Sequence, residues 1–215
     1  MTTLTGKSVV VVGGSRGLGL GVARAARDAG ATVTAVARDV SPLAGIEGLI
    51  GEPGDAVDEP FAEKVLARHR PDLLVITAGA IPQMRPLTGH TWDSFSANWH
   101  ADVRIAFTWL RAALRAPLSP GSRIIVFGSA AELRGSPLSG GYAGAKATVR
   151  MITGYAAAEA TSEGVSSACA SSACASGLCP HSARHSAHRH ANASNQSDSR
   201  GASRLLRSFI AAPRS

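Results

Sequence analysis

Residues 7–30 read KSVVVVGGSRGLGLGVARAARDAG. Four consecutive valines that run into glycines are typical of a short strand buried on both faces. The residues that follow have helical periodicity and end at a glycine. A glycine-rich turn between such a strand and a helix lets the backbone approach a pyrophosphate, and the helix N-terminus adds N–H groups and a positive dipole end. The stretch therefore indicates a dinucleotide-binding unit, although glycines also occur in tight turns for structural reasons alone.

The rest of the first 160 residues continues the alternation of strand and helix. Apolar strand patterns are ATVTAVAR (31–38), PDLLVITAGA (71–80) and SRIIVFGSAA (122–131). Helical patterns are FAEKVLARHR (61–70), DSFSANWHADVRIAFTWLRAAL (93–114) and GYAGAKATVRMITGYAAAEA (141–160). Buried strands that alternate with helices form parallel βαβ units. We predict an α/β fold with a doubly wound, Rossmann-like parallel sheet, and a dinucleotide-binding domain over residues 1–160.

Charge and hydropathy bear on the partners and the location of the protein. The net charge is +7, but residues 1–160 carry 16 Lys and Arg against 13 Asp and Glu, so most of the excess lies beyond them. A basic character confined to the tail is weak evidence for nucleic-acid or membrane partners. The apolar run near the N-terminus is too short for a signal-peptide core, and no stretch reaches membrane-spanning length. We predict a soluble, cytoplasmic protein without nucleic-acid or membrane partners.

The glycine spacing G-x-x-x-G-x-G resembles that of the short-chain dehydrogenase/reductase family, and the resemblance extends over residues 5–160. Asp55-Ala56 is similar to the family's adenine-contacting pair, and Thr77-Ala78-Gly79 to its Asn-Ala-Gly segment. The resemblance implies a cofactor site formed by Gly13, Ser15, Arg16, Gly17, Leu18, Gly19, Arg38, Asp55, Ala56, Ala78, Gly79, Tyr142 and Lys146.

The end of the second strand decides which nicotinamide cofactor is expected. NAD enzymes generally place an acid there for the ribose 2′-hydroxyl, whereas this chain reads Val36-Ala37-Arg38. Arg38 and Arg16 could clamp a 2′-phosphate with their planar, permanently charged groups. Two solvated surface arginines are the alternative, and the neighbouring Asp39 weighs mildly against the phosphate. The pattern favours NADP.

Ser129 and the run Tyr142-Ala-Gly-Ala-Lys146 resemble the active site of the same family. Tyr142 and Lys146 share one helical face, and Ser129 follows a buried strand; the alternative is a surface Tyr–Lys pair. An alkoxide that develops during hydride transfer needs a proton, and a nearby ammonium favours the phenolate form of a tyrosine. By resemblance, Tyr142 is the acid/base, Lys146 also holds the nicotinamide ribose, and Ser129 binds the substrate oxygen.

The family's fourth catalytic position, an asparagine, falls on Asp102. A carboxylate only accepts hydrogen bonds, whereas an amide both donates and accepts. Asp102 could orient Lys146 or a water relay, in an ion pair, or it could be a solvated helix residue. Asn98, one turn earlier, could partly substitute.

The resemblance implies a small-molecule carbonyl or alcohol as substrate. Met84, Leu133 and Leu138 hint at an apolar one, although ordinary loop packing would also explain them. The family resemblance further implies a homo-oligomer built on the helices near 92–114 and 141–160. A non-catalytic NADP-binding protein, or an inactive truncated reductase, is the alternative function; NADPH binding without turnover of any carbonyl would favour it.

Residues 161–215 are rich in Ser, Ala, Cys, His and Arg. The cysteines recur every five residues and histidines follow, but there is little apolar sequence to pack over a metal, so we predict no metal site. We predict that the segment GVSSACASSACASGLCPHSARHSAHRH cannot supply a buried sixth strand, while reading each codon from its third base restores an apolar strand and a Pro-rich loop. We therefore expect a sheet that lacks its last strands, a cleft open on that side, and a disordered or frame-shifted tail that makes activity of this chain doubtful.

Overall fold

The computed structural model describes residues 3–115, 118–160 and 166–170. Its strands are β1 (Ser8–Val12), β2 (Thr32–Ala37), β3 (Leu49–Pro53), β4 (Leu73–Ile76), β5 (Arg123–Phe127) and β6 (Ser166–Ala170). Its helices are α1 (Gly17–Asp28), α2 (Glu59–His69), α3 (Trp92–Asn98), α4 (Arg104–Arg115) and α5 (Tyr142–Ala160). The strands form one parallel sheet in the order β3-β2-β1-β4-β5-β6. The doubly wound, Rossmann-like fold is confirmed.

Strand β1 lies at the centre of the sheet, where the strand order reverses. Val9 pairs with Val33 of β2 on one side and with Leu73 of β4 on the other. In doubly wound sheets this switch point opens a crevice at the carboxyl ends of the strands. The glycine-rich turn begins at that end of β1, so the topology alone brings it to the crevice.

Apolar layers cover both faces of the sheet. Val10 and Val12 of β1 point to the layer that contains the fully buried Trp109, while Val9 and Val11 point to the layer formed with α1. The run of β-branched residues in β1 therefore has the two-sided burial that its sequence predicts. The indole of Trp109 also donates a hydrogen bond to the Ala56 carbonyl at 2.9 Å, which ties α4 to the end of β3.

The expectation that nothing follows β5 in the sheet is wrong. Residues 166–170 pair in parallel with β5, from Arg123 opposite Ser166 to Phe127 opposite Ala170. Sheet pairing uses backbone N–H and C=O groups, which every residue except proline supplies, and β5 would otherwise leave a row of these groups unpaired. The position of the sixth strand is therefore occupied. The predictions about residues 161–165 and 171–215, including the frame-shift, lie outside the described residues.

The single helix predicted over 93–114 is interrupted. A π-helical turn at Trp99–Val103 separates α3 from α4. Such turns insert one residue into a helix and occur often at functional sites. This turn contains Asp102, whose side chain is buried. No helix of the described residues is long and apolar enough to cross a membrane.

Candidate active site

The glycine turn is held in place by backbone contacts. Gly13 has a φ of +87° and donates from its N–H to the Val36 carbonyl at 2.8 Å. A Cβ on Gly13 would lie 2.7 Å from the Ala78 nitrogen, and a Cβ on Gly19 would clash with the Gly13 carbonyl. Residues larger than glycine do not fit at these two positions. The glycine spacing is therefore required by the close packing of three chain segments, and not only by the flexibility of the turn.

The N-terminus of α1 suits an anionic ligand. Arg16 is its N-cap residue and makes no side-chain capping bond within the described part of the chain. The first N–H groups of a helix have no intrahelical partners and carry the positive end of its dipole. Gly17 follows with a φ of +53°, in open space, and Leu18 is exposed, while Ser15 is buried below. The chain thus offers a cradle without side-chain obstruction, of the kind a pyrophosphate requires.

The end of β2 and the start of α1 carry the groups predicted to select the cofactor. Arg16 and Arg38 are both exposed. Hydrogen bonds from the Ser41 hydroxyl and backbone N–H hold the pKa of Asp39 below its usual value, and the Arg16 charge adds to the effect. The Asp39 carboxylate is already engaged with the Ser41 N–H at 2.9 Å. Asp39 is a weaker objection to a phosphate than the sequence suggests.

A short segment after β4 connects the glycine turn to the predicted catalytic residues. The Thr77 hydroxyl and the Ala78 N–H both donate to the Val12 carbonyl, at 2.9 and 3.0 Å. Two residues on, a Cβ on Gly79 would lie 2.8 Å from Oδ1 of Asp102. The segment that resembles the family's Asn-Ala-Gly is thus in contact with both parts of the site.

Asp102 is the most completely surrounded carboxylate of the site. It is 3% exposed, its Oδ1 accepts from the Ala80 N–H at 2.8 Å and from the Asn98 amide at 3.3 Å, and its Oδ2 lies 3.1 Å from Nζ of Lys146. The Asn98 amide also donates to the Ala80 carbonyl at 3.0 Å. The alternative of a solvated helix residue is excluded. The Asn98 amide holds the Asp102 carboxylate in place through its hydrogen bond to Oδ1.

Lys146 joins this carboxylate to the tyrosine. It is 9% exposed, donates to the Phe127 carbonyl at 3.3 Å and places its Nζ 5.9 Å from the centre of the Tyr142 ring. Phe127 ends β5, and Ser129 follows two residues later with its hydroxyl accepting from the Ala131 N–H at 3.2 Å. Contacts therefore run without a break from the glycine turn through Gly79 and Asp102 to Tyr142.

Two features of the site were missed from the sequence. The start of α5 is packed so closely on α3 that a Cβ on Gly141 would clash with the Phe95 carbonyl, and the Trp99 indole donates to the Gly141 carbonyl at 3.1 Å. The paired glycines directly before Tyr142 were the available signal. The second feature is Glu132, whose carboxyl is buried beside Ser129; in sequence it is an ordinary loop acid, and nothing local marks it.

The two loops that carry Met84, Leu133 and Leu138 are also in contact with each other. The Arg85 N–H donates to the Leu138 carbonyl at 3.0 Å, which joins the loop after β4 to the loop before α5. Met84, Leu133 and Leu138 stay about half exposed. Within the described ranges, no group of three or more His, Cys, Asp or Glu side chains is placed to hold a metal ion, and the cysteines and histidines of the tail lie outside those ranges except Cys169 on β6.

The fold is a doubly wound α/β sheet in which contacts link a glycine-rich turn to a Tyr–Lys pair. The family model described as short chain dehydrogenase matches residues 7–177. The chain belongs to this family. The match continues past residue 160 and includes β6, so the likeness reaches further along the chain than the sequence motifs alone indicated.

Individual relatives are distant. The short chain dehydrogenase/reductase AacuD of Aspergillus aculeatus is 28% identical over 74% of this chain and 60% of its own length. The ketoacyl reductase HetN of a Nostoc species is 29% identical over 77% of this chain and 62% of its own. The chain thus spans about three fifths of these curated relatives. Among solved structures, a short chain dehydrogenase from Burkholderia cenocepacia in complex with NADP has a TM-score of 0.67 at 29% identity, covering 75% of this chain and 71% of that one. A dehydrogenase/reductase from Sinorhizobium meliloti has a TM-score of 0.68 at 28% identity, covering 76% and 70%.

Proposed function

We propose that this protein is an NADP(H)-dependent oxidoreductase that interconverts a carbonyl and an alcohol, with Tyr142 as its acid/base. The observation that carries the proposal is the position of Lys146, a buried cation that lies over the Tyr142 ring while Asp102 and the Phe127 carbonyl hold it. A surface Tyr–Lys pair would not be buried, and its lysine would not be anchored from two sides.

Each side chain has a defined task in this proposal. Tyr142 gives its phenolic proton to the oxygen of the carbonyl during reduction and takes it back during oxidation. Lys146 stabilises the phenolate that remains. Ser129 donates its hydroxyl hydrogen to the same substrate oxygen, while one lone pair of its Oγ accepts from the Ala131 N–H. Asp102 is a positioning residue, since it acts on the reaction only through Lys146.

The cradle at α1 fits a nicotinamide dinucleotide. Gly13, Gly17 and Gly19 give the backbone access, and Asp55 and Ala56 lie in the loop just after β3, where an adenine would be recognised. Such a cofactor supplies or accepts the hydride when bound. Arg16 and Arg38 favour the 2′-phosphate of NADP over a free hydroxyl, and the Burkholderia relative crystallised with NADP supports this choice.

Substrate, assembly and location complete the proposal. The half-exposed apolar side chains of Met84, Leu133 and Leu138 suit an apolar small molecule. Phe107 on α4 and Met151 on α5 are exposed on the two helices expected to form a homo-oligomer. The names of the curated relatives, a ketoacyl reductase among them, are consistent with carbonyl reduction. We propose that the protein is located in the cytoplasm.

Replacing the phenol tests the central claim. Tyr142→Phe keeps the ring and removes the proton, so carbonyl reduction should fall by a factor of about 10² to 10⁴. The affinity for NADPH, measured by fluorescence titration, should stay within about threefold. The chain contains one other tyrosine, Tyr155, on the same helix and exposed, and Tyr155→Phe is the matched control. Unchanged turnover in Tyr142→Phe would exclude the assigned role, and NADPH binding without any turnover by the parent would favour a non-catalytic protein.

Charge reversal at the end of β2 tests the cofactor assignment. We expect the parent to bind NADPH far more tightly than NADH, and Arg38→Asp to weaken NADPH by about ten- to a hundredfold, because a charge-assisted contact becomes a repulsive one. Arg24→Asp, on the exposed side of α1, controls for net charge. Equal affinities for the two nucleotides in the parent would contradict the assignment.

A further inference from the structure

The Glu132 carboxyl is buried against the loop that carries Ser129. Its side chain is 3% exposed, and its Oε2 has no hydrogen-bond partner among residues 3–115, 118–160 and 166–170. Glu132 ends the single 3₁₀ turn that Ser129 begins, and its own N–H donates to the Ser129 carbonyl at 3.0 Å. A buried ionisable group with an unpartnered oxygen is costly, so its place beside a catalytic loop calls for a reason.

Charged groups face this carboxyl from α5. Nε of Arg150 lies 3.9 Å from Oε1, and Lys146, one helical turn before Arg150, also acts on it through its charge. Burial raises the pKa of Glu132, while a hydrogen bond from the Ser129 backbone and the charges of Arg150 and Lys146 oppose that rise without cancelling it. The carboxyl therefore interacts with Ser129 on one side and with the helix of Tyr142 and Lys146 on the other.

We propose that Glu132 is a positioning residue for the reaction: as a carboxylate it accepts from the Ser129 backbone N–H and attracts the cations of α5, and on protonation it releases them. The inference rests on the proposed function. A carboxylic acid has lost the negative charge that orients these groups. Because burial raises the pKa of Glu132, this loss begins at a higher pH than it would for a solvent-exposed glutamate.

The first consequence concerns the pH profile. The kcat for carbonyl reduction by the parent should fall on the acid side as Glu132 takes up its proton. In Glu132→Gln that acid limb should be absent, with kcat about tenfold below the parent plateau and the KM for NADPH within about twofold. Lys146, Asp102 and Tyr142 are unchanged in the variant, so their own contributions to the profile are common to both proteins.

The second consequence concerns Arg150, which is half exposed and tolerates replacement. Arg150→Met removes a cation that stabilises the carboxylate, so the acid limb should move to higher pH. Combined with Glu132→Gln it should have no further effect on the profile, since the two residues act through one interaction. Glu47→Gln, at an exposed loop acid, is the matched control and should reproduce the parent profile.

The experiment measures kcat and KM of the full chain between mildly acidic and neutral pH, with circular dichroism of each variant to confirm folding. An acid limb that persists in folded Glu132→Gln, or one that Arg150→Met leaves unmoved, overturns the role of Glu132 while turnover by the parent upholds the proposed function. If Glu132→Gln does not fold, the Arg150→Met shift decides alone. A parent that reduces no carbonyl at any pH contradicts the proposed function, and this inference with it.

Discussion

The two halves of the site are shaped by different forces. On the cofactor side, the contacts that fix the chain are between backbone atoms, as where Gly13 meets Ala78 and Gly19 meets Gly13. On the catalytic side, they are between buried charges, as where Asp102 meets Lys146. The fold of the first half should tolerate changes of surface charge but not an added methyl group. The second should tolerate small changes of shape but not the loss of one charge.

The largest effect should come from the catalytic half. Asp102→Ala leaves the buried Lys146 ammonium without its counter-charge and the Ala80 N–H without its acceptor. Removing one partner of a buried ion pair costs about 3–5 kcal/mol, and we expect a loss of about that size in the free energy of unfolding, measured by urea denaturation.

Two variants bracket that result. Asp102→Asn keeps the shape and a carbonyl oxygen that can accept from Lys146, so it should lose clearly less than the alanine variant. Asp93→Ala, at an exposed acid in the first turn of α3, should change the stability by less than about 1 kcal/mol. Equal losses at Asp102 and Asp93 would remove the distinction between the halves.

An added methyl group should have the next largest effect, in the cofactor half. Gly19→Ala brings a Cβ into the Gly13 carbonyl and within 2.6 Å of the Thr77 hydroxyl, and the Gly13 backbone cannot move aside as a flexible side chain could. We expect a destabilisation of about 1–3 kcal/mol, typical of overpacking, and NADPH binding weakened at least about tenfold.

The control lies in α5. A Cβ on Gly154 would meet nothing within 4 Å, so Gly154→Ala should be neutral or slightly stabilising in a helix. Thermal melts and NADPH titrations of both variants separate loss of fold from loss of binding. A Gly19→Ala protein with parental affinity would show that the turn is looser than its contacts indicate.

How far the sequence predicts each half follows from the same difference. Backbone contacts require glycine at fixed positions, so the spacing of the glycines predicted the turn from Gly13 to Gly19. The buried valines of β1 were also predicted correctly. Tyr142, Lys146 and Ser129 were found as a motif. The burial of Asp102 was left open, because a carboxylate on a helix is solvated unless a distant segment covers it, and here that segment is Gly79-Ala80.

Other features had no local signal at all. Glu132 is buried by α5, which begins ten residues later, and its environment depends on Arg150. Strand β6 was predicted not to form because the apolar pattern was sought in the side chains, whereas its pairing with β5 uses the backbone. Strand β3 has mostly exposed residues as an edge strand, so periodicity locates it poorly.

The smallest effect should come from a surface charge pair at the amino ends of β1 and β4, at the opposite edge of the sheet from the glycine turn. Lys7 lies 2.8 Å from Asp72, whose other oxygen accepts from the Ser8 N–H at 2.9 Å. Burial raises the pKa of Asp72, but the hydrogen bond from Lys7, the Ser8 N–H and the Lys7 charge together hold it below its usual value. A carboxyl with a lowered pKa in the folded state stabilises the protein above its unfolded pKa, and this stabilisation is lost as the pH falls through the folded pKa.

Because Asp72 is 36% exposed and Lys7 more so, solvent screening limits the contribution to less than about 1 kcal/mol. Asp72→Asn should therefore lower the unfolding free energy slightly at neutral pH and not at strongly acidic pH. A loss at neutral pH as large as that of Asp102→Ala would mean that burial is not what separates the two charge pairs.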